Sequence, residues 1–121
     1  MGVTIFHNPN CGTSRNVLAA LQAADLKPTV VDYLKTGWTK PHLKDLLAQM
    51  HATPRDILRV NGTPAEELGL TDPKVSDEQL LDAMVAHPIL VQRPIVQTHK
   101  ATALIRPSEK IYDLIGRPKP G

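Results

Sequence analysis

The sequence predicts an α/β fold: a β-α-β unit, a helical insert over about residues 39–87, then a β-β-α unit. Three observations carry this. Runs rich in β-branched residues at 3–6 and 29–33 flank an apolar stripe with helical spacing. Helix-capping patterns and apolar residues three, four and seven apart fill the middle of the chain. Beyond residue 88 the pattern returns to strand-like runs with no crossover helix between the last two.

In order along the chain, Val3-Thr4-Ile5-Phe6 reads as the first strand and His7-Asn8-Pro9-Asn10 as a turn. Val17, Leu18, Leu21 and Ala24 predict a helix from Asn16 to Ala24, with Thr13 or Ser14 as its N-cap. Pro28 precedes a second strand, Thr29-Val30-Val31-Asp32-Tyr33, parallel to the first because a helix joins them. Thr36-Gly37-Trp38 is a loop. Thr39 caps a helix with Pro41 in its first turn and Leu43, Leu46, Leu47 and Met50 on one face. Thr53-Pro54 starts a short helix carrying Ile57, Leu58 and Arg59, ended by Asn61-Gly62. Thr63-Pro64 opens a turn through Leu68. Ser76-Asp77-Glu78-Gln79 is a capping box ahead of Leu80, Leu81, Met84 and Val85, and His87-Pro88 stops that helix. Ile89-Leu90-Val91, Ile95-Val96 and Ala103-Leu104-Ile105 are β-like, with His99-Lys100-Ala101 as a hairpin turn. Pro107-Ser108 begins a last helix carrying Ile111, Leu114 and Ile115, closed by Gly116. A parallel pair, an antiparallel hairpin and a closing helix make a thioredoxin-like core with helices inserted. The expected organisation is one domain over residues 1–116 and a flexible basic tail at 117–121.

A chain of 121 residues holds one core without staples. The net charge of +2 is uneven: residues 93–121 carry +4 and residues 1–92 carry −2. Bulk charge therefore excludes a polybasic nucleic-acid binder and leaves room for a local anion site fed by the C-terminal third. No apolar run approaches the ~18 residues of a membrane span. No basic residue precedes Arg15, so no secretory signal is expected and the expected location is the cytoplasm. The single cysteine excludes an internal disulfide, and no C-x-x-C or H-x-x-x-H spacing suggests zinc. No metal and no bound cofactor are expected.

That cysteine, Cys11, falls between the end of a strand and the start of a helix, where unpaired N–H groups and the positive dipole end stabilise a thiolate. A lone cysteine can also be a small buried hydrophobe, but Pro9, Asn10, Gly12 and Thr13 give it no apolar stripe to join. Ser14 stands where a dithiol oxidoreductase would place its resolving cysteine, and Val17 where a tyrosine-phosphatase-type loop would place its arginine. What remains is a monothiol centre whose second thiol comes from outside the chain. Any oxyanion substrate would need arginines from distant positions. Arg59, Arg93 and Arg106 are candidates; the last two precede prolines at strand boundaries, where sites gather. The alternative is three surface arginines lying along apolar surface or pairing with carboxylates. His7, next to the thiol loop, either supports the site or is a satisfied strand-end residue. Pro94 is a candidate cis-proline that sequence alone leaves open.

These stretches together resemble the glutaredoxin-coupled arsenate reductases. The resemblance rests on His7-Asn8-Pro9, Cys11-Gly12-Thr13-Ser14-Arg15-Asn16, Leu58-Arg59, Glu67-Leu68-Gly69-Leu70, His87-Pro88-Ile89-Leu90, Arg93-Pro94-Ile95-Val96 and Arg106-Pro107-Ser108-Glu109, and runs from about residue 3 to 115. It implies Cys11 as nucleophile, Arg59, Arg93 and Arg106 as oxyanion-binding arginines, Pro94 as a cis-proline, and His7 and Ser14 in support. It also implies arsenate as substrate, glutathione as co-substrate and glutaredoxin as partner, with no nucleic acid and no membrane. Many family members continue past the last helix, where this sequence ends at Gly121, but every motif lies upstream. Two other readings remain open: a glutathione-dependent thiol reductase without arsenate activity, against which the three arginines argue, and a Spx-like regulator that binds RNA polymerase. Many of the latter carry a C-x-x-C switch, which Ser14 denies here.

Overall fold

The computed structural model describes residues 2–120; Met1, placed in the expected domain, and Gly121, placed in the expected tail, lie outside the described residues. In chain order the elements are β1 (Thr4–His7), α1 (Gly12–Ala23), β2 (Thr29–Asp32), α2 (Tyr33–Thr36), α3 (Lys40–Met50), a 3-10 turn at Pro54–Ile57, α4 (Asp77–Ala86), a 3-10 turn at Pro88–Leu90, β3 (Ile95–Gln97), β4 (Thr102–Leu104), a 3-10 turn at Ser108–Lys110 and α5 (Ile111–Ile115). They fall into two compact units, Met1–Tyr33 with Arg93–Gly121, and Leu34–Gln92. Among the described residues no helix is long and apolar enough to cross a membrane.

The first unit holds a four-stranded sheet in the order β2-β1-β3-β4. β1 runs parallel to β2, with Phe6 opposite Val31, and antiparallel to β3, with Ile5 opposite Val96. β3 and β4 form the expected hairpin, pairing Val96 with Ala103 and closed by Thr98 N–H to the Ala101 carbonyl at 2.8 Å. β1 has a partner on each side, so its backbone groups are satisfied, and Ile5, Phe6 and His7 are all buried. β2 is an edge strand and leaves Val30 exposed. Ile5 and Val96 from the sheet, Val17 and Leu21 from α1, and Ile105 and Ile111 from the C-terminal segment make one apolar cluster. Each such side chain, fully withdrawn from water, contributes roughly 1.5–3 kcal/mol. Gly116, at φ +67°, closes α5 in the left-handed conformation that glycine adopts without penalty. Just beyond it, Arg117 N–H donates to the Tyr112 carbonyl at 3.0 Å and its guanidinium to the Ala24 carbonyl at 3.1 Å.

In the second unit α3 and α4 begin where the sequence places them. The Thr39 hydroxyl accepts the His42 N–H at 3.3 Å, and Ser76 and Gln79 exchange side-chain and backbone bonds at 2.9 and 3.2 Å. α4 packs on α3 and on both 3-10 turns of this unit, burying Leu43, Leu46, Ile57, Leu80, Met84 and Leu90. Lys40 pairs with Glu78 and Asp82, and Lys44 with Glu78, linking the exposed sides of α3 and α4.

Four local expectations are corrected. α1 begins at Gly12 instead of Asn16, and neither Thr13 nor Ser14 caps it. The short helix after Pro54 is a single 3-10 turn ending at Ile57, so Leu58 and Arg59 are not helical. Ile89-Leu90-Val91 is not a strand: Pro88–Leu90 is a 3-10 turn, and Val91 makes one antiparallel bridge with Leu58. These last two share a cause. Arg59 N–H donates to the Leu90 carbonyl at 2.7 Å and Gln92 N–H to the Ile57 carbonyl at 2.8 Å, so both segments exchange local propensity for pairing across 33 positions. Residues 33–36, read as strand end and loop, form the short α2.

Candidate active site

β1 ends at His7 and α1 starts at Gly12, so four residues turn the chain and set Cys11 at the helix N-cap, with extended φ −101° and ψ 121°. The loop is fixed by its own backbone. Cys11 N–H donates to the Asn8 carbonyl at 3.0 Å, and the Cys11 carbonyl accepts the Arg15 N–H at 2.9 Å, the first bond of the helix. Asn8, buried, accepts the Asn10 N–H on its Oδ1 at 2.9 Å and donates its own N–H to Ser14 Oγ at 3.1 Å. Arg15 crosses the outside of the loop, its Nη1 donating to the Pro9 carbonyl at 3.0 Å.

Ser14 is wholly buried, and its Oγ lies 2.6 Å from His7 Nδ1. Burial holds the His7 pKa below its ordinary value, against the opposing pull of Asp32 and with a further push from Arg15. A neutral His7 can accept the Ser14 hydroxyl proton at Nδ1 while Ser14 accepts from Asn8. The expected hydroxyl cap fails because α1 starts earlier than expected: Cys11 takes the N-cap position, and Ser14, inside the first turn, is engaged with the end of β1.

The two arginines that bracket the β3–β4 hairpin converge on this loop. Arg106 Nη1 lies 3.7 Å from Cys11 Sγ and donates to the Arg93 carbonyl at 2.8 Å. Arg93 is itself buried, at 8% exposure, an unusual place for a guanidinium. Both arginines precede cis peptide bonds, to Pro94 and to Pro107; the second was not anticipated from the sequence. Burial pushes the Cys11 thiol up, but the Ser14 backbone N–H, then the Arg106 side chain, then Arg93 outweigh it and bring the thiol down to about 7. The sulfur is therefore about half thiolate at neutral pH.

Of the residues singled out from the sequence, Cys11, Arg93, Arg106, Pro94, His7 and Ser14 all belong to the first unit. Arg59 belongs to the second, where its Nε donates to the Asn61 carbonyl at 3.1 Å and its Nη1 to Gln92 Oε1 at 3.2 Å. Asn8 and Arg15 were not assigned roles in the sequence reading. The Asn-Pro pair is a turn signal that could have drawn attention to Asn8; nothing in the sequence marks Arg15 apart from its nearness to Cys11. Among the described residues, no group of three or more His, Cys, Asp or Glu side chains is placed to hold a metal ion.

Residues 6–114 match the ArsC family. The arsenate reductase ArsI2 of Synechocystis sp. is 54% identical over 113 residues, which cover 93% of this chain and 81% of that protein. The arsenate reductase of Escherichia coli K12 is 46% identical over 113 residues, covering 93% and 80%. The solved structure of an arsenate reductase from Vibrio cholerae superposes with a TM-score of 0.88 at 37% identity, over 93% of this chain and 97% of that one.

Proposed function

This chain belongs to the ArsC family, and on that premise we propose that it reduces arsenate to arsenite with glutathione and glutaredoxin, through a covalent adduct on Cys11. The observation that carries the reading is the Arg106 guanidinium 3.7 Å from the Cys11 sulfur, at the start of a helix that no side chain caps. Arsenate is a tetrahedral oxyanion, and guanidinium forks bind such groups in two-point fashion. Arg106 and Arg93 would hold its oxygens beside the thiolate. Arg59 joins them in this proposal by its Leu58-Arg59 motif.

The steps balance without metal. The Cys11 thiolate attacks arsenic and displaces an arsenate oxygen, which leaves as water after protonation, giving a cysteine–As(V) adduct. Glutathione condenses with that adduct, losing a second water. Glutaredoxin's thiol then attacks the glutathione sulfur, forming a mixed disulfide and leaving the electron pair on arsenic. The resulting As(III)–Cys11 bond is hydrolysed, returning arsenite and the Cys11 thiol. Two thiols become one disulfide, and As(V) gains two electrons. The single cysteine of the chain suits this cycle, since both reducing thiols come from outside. A cytoplasmic location, where glutathione is abundant, fits the same reading.

The test is arsenate-dependent NADPH oxidation with glutathione, glutaredoxin and glutathione reductase. Turnover that needs both glutathione and glutaredoxin is expected, with none in Cys11→Ser. Full turnover with thioredoxin and no glutathione would refute the coupling, and absence of turnover under all conditions would refute arsenate reduction.

A further inference from the structure

Beyond the oxyanion-holding arginines, we propose that Arg15 is the docking point for a carboxylate of the thiol co-substrate, making this rim selective for an anionic thiol over an uncharged one. The inference rests on the preceding reading for the identity of the site, and it adds where the second substrate binds. Pro9, Asn10, Gly12 and Arg15 are all exposed, whereas Cys11, Ser14 and Arg93 behind them are buried. A thiol approaching a Cys11 adduct from solvent meets this rim.

The Arg15 guanidinium spans it. Nη1 is anchored on the Pro9 carbonyl, and Nη2 lies 3.8 Å from where a β-carbon on Gly12 would stand. The fork thus lies over the two residues that flank Cys11 and its neighbour Asn10, with Gly12 leaving the approach uncrowded. Among the described residues no Asp or Glu forms an ion pair with Arg15; the pairs present involve Lys40 and Lys44. An anchored guanidinium with no internal carboxylate, on the exposed lip of a thiol loop, is suited to a carboxylate arriving with the second substrate. Arg93 is buried and Arg106 half-buried beside the Cys11 sulfur, whereas Arg15 is exposed. The charges are therefore divided between an inner pair for the tetrahedral oxyanion and an outer one for the reductant.

The experiment is an NMR titration of the full chain with S-methylglutathione, which is unreactive and keeps both carboxylates, and with its diethyl ester. The free acid should bind about three- to fivefold tighter, a factor set by one exposed charge pair, with shifts centred on Asn10, Gly12 and Arg15. Arg15→Gln keeps an N–H donor for the Pro9 carbonyl but removes the charge, and should abolish the preference; Arg15→Glu should reverse it. In the wild type the preference should shrink as salt rises, a readout that needs no variant. Equal affinity for acid and ester in the wild type, or a preference that survives in Arg15→Gln, would overturn the proposal. The titration needs no turnover, so a protein that prefers the acid yet fails to reduce arsenate would sink the functional reading and leave this one standing.

Discussion

Helices α3 and α4 are closed at their N-termini by their own hydroxyl side chains, Thr39 and Ser76, and α1 is not. The difference lies in which residue takes the cap position: Thr39 and Ser76 in α3 and α4, but Cys11 in α1, with Thr13 and Ser14 inside the first turn of that helix. In the Leu34–Gln92 unit, polar side chains terminate helices and face water. In the unit that carries the thiol, the first-turn hydroxyl of Ser14 is buried and bound to His7 and Asn8. In the first turn of α1 the Ser14 N–H acts on the Cys11 sulfur instead, and it is the leading influence that lowers the thiol pKa. In α3 and α4 a hydroxyl cap takes a first-turn N–H; in α1 the corresponding N–H, that of Ser14, is left to the thiol.

The largest expected effect falls on the arginines. Arg93→Ala and Arg106→Ala should each lower kcat/KM for arsenate about a hundred- to a thousandfold, the scale of one lost charge-stabilising donor. Lysine at either position should restore only part of this, since a point charge cannot reproduce the planar fork. Arg59 should matter less. Steady-state kinetics of the six alanine and lysine variants, with circular dichroism for folding, measure this; folded variants with near wild-type kinetics would remove these arginines from the substrate site.

The thiol offers a second measurement. Iodoacetamide alkylation of Cys11 should rise with pH around a midpoint of about 7, below the ~8.5 of a free cysteine. The sign for stability follows, because the folded pKa is depressed. The contribution is complete above ~8.5, the unfolded value, and is lost as pH falls through about 7. Melting temperature against pH in the wild type and in Cys11→Ser should diverge in that window. An alkylation midpoint at or above the free value would remove the electrostatic contrast between α1 and the other helices.

Smaller effects separate the two kinds of hydroxyl. Ser14→Ala leaves the buried Asn8 N–H without its acceptor and should cost ~1–3 kcal/mol in urea unfolding. Ser76→Ala should cost ~1 kcal/mol, the ordinary value of an exposed cap, and leave the alkylation midpoint unmoved. If Ser14→Ala costs no more than Ser76→Ala, the distinction drawn between the two helix starts is wrong.

Much of the fold was legible in the sequence because its signals are local. Thr39 and Ser76 sit three residues before the N–H groups they accept, and the hairpin turn lies within one short window. The parallel β1–β2 pair followed from the helix that joins them. What failed depends on distant partners. Leu58 and Arg59 look helical until residues 90–92 pair with them, and Ser14 looks like a cap although α1 reaches back to Gly12, with Cys11 at the cap and the Ser14 hydroxyl held by His7. At the site, the position of Cys11 was readable from a strand, a turn and an apolar stripe. The approach of Arg106 to Cys11, 95 residues away in sequence, was available only through the family resemblance, and the Asn-Pro turn signal marks Asn8 as a turn residue but not as buried and bonded to Ser14.

The first unit's discontinuity in sequence has a consequence for the life of the chain. A ribosome emits Cys11 and its strand well before Arg93 and Arg106, with the whole Leu34–Gln92 unit in between. Until then two of the influences that favour the thiolate are missing, so the nascent sulfur stays closer to an ordinary, protonated thiol. The thiol therefore gains its full acidity only once the second half of its unit is made: a product stalled before Arg93 carries the cysteine and the Ser14 N–H without the two guanidinium groups.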